Sequence, residues 1–353
     1  MELEDFKFET IDKYQAYLKE RQELLGYCKK ISQGIDNLDE KSGERAIWEL
    51  VQNARDMEEN CRIRIDLNEN SIVFSHHGKP FDYLSLLALV NQNSSKDNPD
   101  ANLVGQYGTG FMTTHAFNDI VTIDGPYKAM ANPTTLKGYV ELGGFELNRS
   151  FKDTEKAIAE MRDEMEKVAE MHKKTPLWES LDKWTTFTYE LTTVQVTEVS
   201  SQLANAIRLM PMVLVVNERI KEVEVNDKFR KCHFKIQKNN NSDKVNFRED
   251  GDWVKVTNQI FTTDLITGHV EIDNVVSLQS KNGEDIILLP PYPESCGKVC
   301  TIPSLFLWFP LLGTEHFGVN FVFHSKRLHP VEKRNNVVFP ENVPSKIEKG
   351  QQN

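Results

Sequence analysis

Three glycines within six residues constrain the fold of this chain more than any other feature of its sequence. Gly105, Gly108 and Gly110 stand between a polar segment, residues 91–104, and a helix that the pattern predicts over residues 109–117. Glycine permits a backbone path that turns several N–H groups to one side, and a helix N-terminus adds partial positive charge. The cluster therefore predicts a loop that holds a polyphosphate, with a plain turn as the alternative. It is neither a Walker A motif nor a dinucleotide fingerprint, because no Gly-Lys-Ser/Thr follows and no βαβ unit surrounds it.

An amphipathic helix predicted over residues 42–60 is the second constraint. Its apolar residues recur at i, i+3, i+4 and i+7 and form one stripe for burial; they are Ile47, Leu50, Val51 and Ala54. Glu49, Asn53 and Asp56 fall within a narrow arc opposite that stripe, since each residue turns the helix by about 100°. A carboxylate and an amide one turn apart can hold a hydrated Mg²⁺ and orient a water molecule. A solvated polar face is the alternative.

The rest of the chain alternates between helical and strand patterns. Periodicity predicts helices over residues 10–34, 152–175 and 200–209, strands over 62–67, 71–75, 120–123 and 184–191, and a hairpin around Asn217-Glu218. Residues 91–104 are polar, small and rich in helix breakers, which predicts a mobile loop.

Length and composition bound the class of protein. A chain of 353 residues exceeds one ordinary core and favours two domains. The longest apolar run, residues 209–216, is shorter than the ~20 residues of a membrane helix, and the N-terminal residues lack the features of a signal peptide. Five scattered cysteines do not indicate a disulfide framework. We therefore expect a cytoplasmic protein without a membrane partner. Its net charge of −11 argues against a surface built mainly for nucleic acid.

Four residues outside these motifs offer a zinc site as a separate hypothesis. Cys232-His233 and Cys296-x-x-x-Cys300 carry ligands of the right type, but their spacing matches none of the usual zinc knuckles. Free buried thiols are the alternative.

In their order along the chain, the motifs resemble those of the GHKL ATPases. This family includes the ninety-kilodalton heat-shock chaperones, DNA gyrase B subunits, MutL, MORC proteins and sensor histidine kinases. The shared order is an E-x-x-x-N-A-x-D helix, a strand ending in x-x-G-x-P, a loose lid, G-x-x-G-x-G-F and a Thr-bearing strand, over about residues 42–191. The His-His-Gly-Lys-Pro-Phe segment is most similar to large bacterial and sacsin-like members.

The resemblance implies an α+β chain: a two-layer α/β sandwich, the Bergerat ATP-binding fold, followed by a smaller α/β domain like a transducer. The implied boundaries are a helical extension over residues 1–41, the ATP-binding domain over 42–198, the transducer-like domain over 199–340 and a linker or tail over 341–353.

Roles for single residues also follow from the resemblance. It implies that Asn53 coordinates a Mg²⁺ that bridges the phosphates, that Glu49 polarises the attacking water, and that Asp56 supports the adenosine side through water. It also implies that Thr185 joins the adenine-side network, with Thr186 as the alternative. Residues of the glycine cluster are implied to hold the phosphates and to form the lid hinge: Gly105, Gln106, Tyr107, Gly108, Thr109, Gly110 and Phe111. Ser95 and Lys96, in the lid, resemble the lid residues that reach the phosphates in MutL-like proteins.

One residue departs from the family pattern. Most members carry an aspartate that accepts a hydrogen bond from the adenine amino group, and here the aligned residue is His76, followed by His77 and Gly78. A neutral imidazole nitrogen can accept the same hydrogen bond, so His76 and Gly78 are predicted to contact the base. The altered residue leaves base selectivity open, and a surface histidine pair at a strand end is the alternative.

The second half of the chain carries another resemblance. The segment from Phe309 to Ser325 and the following His329-Pro-Val-Glu-Lys-Arg are similar to a transducer domain, in which a basic residue reaches the γ-phosphate. Arg334 is the first candidate and Lys333 the second, because a guanidinium suits a triphosphate end group. A solvated basic turn is the alternative.

The implied function is that of a slow ATPase with ATP and Mg²⁺ as cofactors. ATP closes a lid and engages the second domain, as in chaperone or clamp proteins. The implied partners are a second copy of the chain, in an ATP-dependent homodimer, and a protein client or downstream domain. A non-hydrolysing, nucleotide-gated interaction module of a larger protein is the alternative, and a DNA-acting version stays open. A sensor histidine kinase fits less well, because the first histidine is His76 and the helix carries Glu49.

Overall fold

The structure is a computed structural model that describes residues 10–92, 110–129, 138–176, 184–246, 252–289, 302–331 and 337. The described residues form a mixed α/β structure, in agreement with the predicted α+β class. The chain divides into two compact units: residues 1–58 with 63–200, and residues 59–62 with 201–353.

Unit 1 contains four complete helices and one 3-10 helix among its described residues. They are α1 (Ile11–Asp36), α2 (Ser42–Met57), α3 (Tyr83–Val90), the 3-10 helix Gly110–Ala116 and α4 (Thr154–His172). Helix α3 was not predicted, because eight mostly apolar residues show no period that separates a helix from a strand. Its start is fixed by a capping box in which Asp82 and Ser85 exchange side-chain to backbone hydrogen bonds.

The strands of unit 1 form two sheets. They are β1 (Cys61–Leu67), β2 (Ser71–His77), β3 (Ile120–Asp124), β4 (Pro126–Lys128), β5 (Tyr139–Glu141), β6 (Phe145–Asn148) and β7 (Thr185–Glu190). The larger sheet has the order β1-β2-β7-β3-β6, and β4 pairs with β5 separately. β7 lies between β2 and β3 and is antiparallel to both. The end of β2 therefore lies beside the start of β7, although the two are far apart in sequence.

Alternating burial explains why the strands form where they do. On β1, Cys61, Ile63, Ile65 and Leu67 are buried, whereas the intervening arginines Arg62 and Arg64 are exposed. The predicted hairpin of β1 and β2 is confirmed, with bounds extended by one or two residues. The predicted stripe of α2 is also confirmed, since Ile47, Leu50, Val51 and Ala54 are all at most 3% exposed.

Unit 2 is built mainly from strands. They are β8 (Ile220–Asp227), β9 (Cys232–Asn246), β10 (Trp253–Asp264), β11 (Val270–Ser280), β12 (Asp285–Leu289), β13 (Leu305–Leu307), β14 (Phe309–Pro310) and β15 (Val322–Ser325). Their order is β14-β13-β15-β12-β11-β10-β9-β8. β13 and β15 are parallel, while the neighbouring pairs are antiparallel, so the sheet is mixed.

The helix predicted over residues 200–209 was too short, and the hairpin predicted around Asn217-Glu218 was wrong. One helix, α5 (Thr193–Val216), runs through Pro211, and the division between the units falls inside it. Its apolar end is buried, and this burial outweighs the helix-breaking tendency of proline. Asn217 ends the helix: its side-chain amide donates to the carbonyl of Val213. Residues 217 and 218 thus join a helix to β8.

Helix α5 is also the one described helix that is long and apolar enough to cross a membrane, by length and composition. Of its apolar window, 67% is buried inside the protein. This burial is typical of a core helix.

Candidate functional site

One end of the candidate site is formed by α2 and the start of the 3-10 helix, which contact each other. Glu49 lies so close to Gly110 that a β-carbon at position 110 would be 2.2 Å from Oε2 of Glu49 and 2.9 Å from its carboxyl carbon. Asn53 lies one turn further along α2, so its amide shares a face with Glu49. Both side chains are half-buried. The structure thus brings the predicted water-activating carboxylate to the last glycine of the predicted phosphate loop.

Asp56 differs from the other two polar residues of α2. Its side chain is only 1% exposed, and its Oδ1 accepts a hydrogen bond from Nη1 of Arg55 at 2.9 Å. The Arg55 side chain is 4% exposed, so the two charges form a buried ion pair. No role was predicted for Arg55, because charged side chains are mostly exposed and nothing in the local sequence indicates its burial.

The other end of the site is formed where β2 ends and β7 begins. His76 is the cross-strand neighbour of Thr185, and the two residues are 5% and 1% exposed. On the opposite face of the sheet, the hydroxyl groups of Ser75 and Thr186 lie 3.2 Å apart and form a hydrogen bond between β2 and β7. The sheet therefore brings together the two residues that were predicted on the adenine side.

His76 has an unusual environment for a histidine. Among the described residues, its buried Nδ1 has no hydrogen-bond partner. A β-carbon at Gly78 would lie 3.3 Å from this Nδ1 and 3.1 Å from Cβ of Glu58, so Gly78 packs closely against both the imidazole and the residue that ends α2. Burial, and secondarily the charge of His77, lowers the pKa of His76 to about 4. The imidazole is therefore neutral at pH 7.

Phe187, which was not among the predicted site residues, connects the two ends of the candidate site. Its ring stacks on the imidazole of His76 with centroids 6.2 Å apart and an interplanar angle of 22°. The same ring contacts Phe111, which follows Gly110, at 5.7 Å, and Phe81 at 6.2 Å. The signal was present in the sequence, because Phe187 is two residues from Thr185 and must face the same side of the strand.

Helix α2 sets the distance between the two ends. Glu49 meets Gly110 near the middle of the helix, and Glu58, which follows the helix, meets Gly78. At a rise of about 1.5 Å per residue, these two positions lie roughly 13 Å apart along the helix axis.

Nine of the predicted site residues lie outside the described residues. They are Ser95, Lys96, Gly105, Gln106, Tyr107, Gly108, Thr109, Lys333 and Arg334.

Two of the four residues of the zinc hypothesis, Cys296 and Cys300, also lie outside the described part of the chain. The other two, Cys232 and His233, are consecutive on β9 and therefore face opposite sides of the sheet. Nε2 of His233 lies 2.8 Å from a carboxylate oxygen of Glu224. Within the ranges described above, no group of three or more His, Cys, Asp or Glu residues could hold a metal ion.

A cavity of about 430 Å³ lies elsewhere in unit 1, between α1, the end of β6 and the start of α4. Its lining includes Lys29, Arg149 and Lys152, and none of the residues predicted to bind nucleotide. Arg149 is already paired with the buried carboxylate of Glu164. We therefore place the candidate site at α2, β2 and β7 rather than at this cavity.

Comparison with known proteins adds no assignment: no family model matches the sequence, and no curated protein is significantly similar to it.

Proposed function

We propose that this chain is an ATP-binding module of the GHKL type, with a Bergerat fold in unit 1, and that it hydrolyses ATP slowly with Mg²⁺. The observation that carries the proposal is the approach of Glu49 to Gly110 near the middle of α2, together with the His76–Thr185 pair next to Gly78, which meets Glu58 at the end of that helix. Glu49 and Glu58, the α2 residues that meet Gly110 and Gly78, are roughly 13 Å apart along the helix axis, a spacing that suits an extended nucleoside triphosphate with its phosphates towards Gly110 and its base towards His76.

The phosphate end has the groups that hydrolysis requires. Glu49 orients the attacking water and accepts its proton, a role that needs a carboxylate within reach of the phosphate loop. Asn53, one turn away, would supply an amide oxygen for Mg²⁺, an ion that proteins usually bind through only one or two side chains of their own. When bound, Mg²⁺ neutralises charge on the phosphates.

The base end supplies a buried, apolar site with few polar groups, as ligand sites usually do. Phe187 and Phe81 give it aromatic walls, and His76 and Thr185 give it hydrogen-bonding groups. Nδ1 of His76 is buried and has no hydrogen-bond partner among the described residues. A hydrogen bond from a ligand would offset the desolvation penalty of this polar atom. This orphaned nitrogen supports a ligand at the position where the resemblance places adenine.

We propose the further consequences of the resemblance as part of the same function. ATP closes the lid that carries Ser95 and Lys96, Arg334 or Lys333 reports the γ-phosphate, and the second unit transmits the change as a transducer. The client, the ATP-dependent homodimer and a cytoplasmic location belong to this proposal. Arg334→Ala should leave ATP binding near wild type and slow hydrolysis, and unchanged turnover would remove that assignment.

Calorimetric titration of ATP into the whole chain, with and without Mg²⁺, tests binding. We expect binding that depends on Mg²⁺ and is lost in Asn53→Ala. An absence of binding by the wild-type chain would overturn the proposal, and Mg²⁺-dependent affinity retained in Asn53→Ala would overturn the role of that residue.

Turnover tests hydrolysis. We expect phosphate release that falls to background in Glu49→Ala and is unchanged in Glu69→Ala, a matched control at an exposed turn. Equal, background-level rates in wild type and Glu49→Ala would favour the non-hydrolysing interaction module.

A further inference from the structure

We propose that the cavity between α1, the end of β6 and the start of α4 binds a small organic anion, a carboxylate carried on an apolar body. The inference goes beyond the proposed function and does not depend on it, since none of the residues predicted to bind nucleotide lines this cavity. The volume of about 430 Å³ lies within the range of small-molecule sites. The lining combines groups that suit an anion with groups that suit an apolar body.

The cavity is accessible from solvent. Several lining residues are exposed, and they come from α1, from α4 and from the segment between β6 and α4: Ser32, Gln33, Lys152 and Thr154. The ring of Phe151, in the same segment, also lines the cavity and is 37% exposed. A ligand can therefore enter between the two helices without displacing a core side chain.

The inner part of the cavity is apolar. Ile31 and Ile35 lie one turn apart on α1, and Ala157 and Met161 lie one turn apart on α4, so each pair shares one face of its helix. Ile31 and Met161 are the deepest of these residues, with exposures of 3% and 2%. The two helices thus give an apolar body a surface on which to be buried.

Arg149 supplies a buried hydrogen-bond donor to this lining. Its side chain is 5% exposed. Nη1 donates to the carboxylate of Glu164 at 2.7 Å, and Nη2 donates to the carbonyl of Val90 at 3.0 Å. Nε is also buried but has no hydrogen-bond partner among the described residues. A buried N–H group without a partner is costly, and a carboxylate oxygen of a ligand is a strong acceptor for it.

The other charged groups of the lining favour an anion over a cation. Lys29 and Lys152 both line the cavity, and the lining includes one carboxylate, that of Asp36. Helix α4 begins at Thr154, also in the lining, and a helix N-terminus adds partial positive charge. This local excess of positive charge occurs in a chain whose net charge is −11. It gives the cavity the electrostatic character that attracts a carboxylate.

Matched ligands titrated into the whole wild-type chain test the chemistry of the site. Phenylbutyrate has a carboxylate on an apolar body, phenylbutylamine carries the opposite charge, and acetate lacks the apolar body. We expect phenylbutyrate to bind with a dissociation constant of about 1 mM or below, and the other two at least about tenfold more weakly. The inference would be overturned by undetectable binding of phenylbutyrate, or by equal affinity for either of the other ligands.

The thiol of Cys28 reports where the ligand binds, because this residue also lines the cavity. We expect phenylbutyrate at ten times its dissociation constant to slow the alkylation of Cys28 by iodoacetamide about tenfold, since only unoccupied protein reacts. Mass spectrometry of the cysteine peptides measures the rates. Cys232 is the matched control, because it is half-buried like Cys28 and lies on β9 in unit 2. Equal slowing at both cysteines, or none at Cys28, would contradict binding in this cavity.

Filling the cavity should abolish binding. Ala157→Phe places a ring in the lining, and we expect it to weaken phenylbutyrate binding at least about tenfold. Ala159→Phe is the matched control, because this exposed residue of the same helix is not part of the lining. Wild-type affinity in Ala157→Phe would overturn the site.

Removing the positive charges tests the same site without a change of volume, and it serves if Ala157→Phe fails to fold. The double variant Lys29→Gln/Lys152→Gln should weaken phenylbutyrate binding roughly tenfold. Lys173→Gln, an exposed lysine at the other end of α4, should bind as wild type does. Mg-ATP affinity should be the same in all these proteins, so loss of phenylbutyrate binding is distinguishable from failure of the nucleotide site. An unchanged affinity for phenylbutyrate in the double variant would overturn the preference for an anion.

Discussion

The carboxylate of Glu49 fills the space that a side chain at Gly110 would need, with Oε2 only 2.2 Å from the position of a β-carbon. Glu49 and Gly110 are far apart in sequence. Glu49 is predicted at the phosphate end from the polar face of its helix, and Gly110 from the glycine cluster. Their contact couples the geometry of the predicted catalytic carboxylate to the start of the 3-10 helix.

Gly110→Ala should therefore impair catalysis more than binding. The new methyl group displaces the Glu49 carboxylate, and a shift of about 1 Å in a catalytic group can lower the rate on the order of 100-fold. Steady-state phosphate release gives the rate, and calorimetry gives the affinity for Mg-ATP. Gly26→Ala is the matched control, because a β-carbon at this position in α1 would meet nothing within 4 Å. Wild-type turnover in Gly110→Ala would show that Glu49 is not held where catalysis needs it.

Phe187→Ala should lower both stability and nucleotide affinity. The Phe187 side chain is buried and contacts His76, Phe111 and Phe81, and removing such a ring costs about 3–5 kcal/mol of unfolding free energy. Denaturant unfolding without nucleotide measures the first effect. Phe229→Ala is the control, since that ring is 53% exposed and its loss should change stability by less than about 0.5 kcal/mol. If Phe187→Ala lost as little unfolding free energy as Phe229→Ala, the contacts described for Phe187 would be contradicted.

The elements that were predicted well depend on local periodicity. The stripe of α2 and the alternation of β1 and β2 can be read from neighbouring residues, because burial follows the 3.6- and 2-residue repeats. The helix predicted over residues 200–209 ended too early, and only the tertiary core shows that the apolar run over residues 209–216 prolongs α5 through Pro211.

The sequence proposed residues for the candidate site, but it did not predict which of them contact each other. Resemblance of motif order assigned Glu49, Gly110, His76 and Thr185, but long-range pairing decides which of them meet. The partner of Asp56 was missed for the same reason: whether Arg55 is solvated or buried depends on what packs over the helix, which no local pattern reveals.

The buried pair of Arg55 and Asp56 predicts a non-additive effect on stability. Removing one partner leaves the other charge buried, which costs about 3–5 kcal/mol. We expect Arg55→Leu and Asp56→Leu each to lower the unfolding free energy by about this amount in nucleotide-free protein. The double variant should lose clearly less unfolding free energy than the two single variants lose together, because it buries neither charge. Additive losses across the four proteins in denaturant unfolding would mean that the two charges do not stabilise each other.

Two buried histidines predict how stability changes with pH. Burial lowers the pKa of both His76 and His115 to about 4 from the ordinary value of 6.5. Between about pH 6.5 and 4 the unfolded chain binds more protons at these residues than the native chain, so acidification favours unfolding. Each histidine should remove about 3 kcal/mol of unfolding free energy over this window.

His115→Asn isolates one of these contributions. The acidic side of the stability curve also contains Glu164, whose pKa is raised mainly by burial and whose contribution therefore has the opposite sign. Comparing wild type and variant by denaturant unfolding from about pH 7 to about pH 4 cancels Glu164 and leaves His115. We expect the variant to lose less stability than wild type as the pH falls, with the difference approaching about 3 kcal/mol near pH 4. Parallel curves would show that His115 takes up its proton in the native state as easily as in the unfolded one.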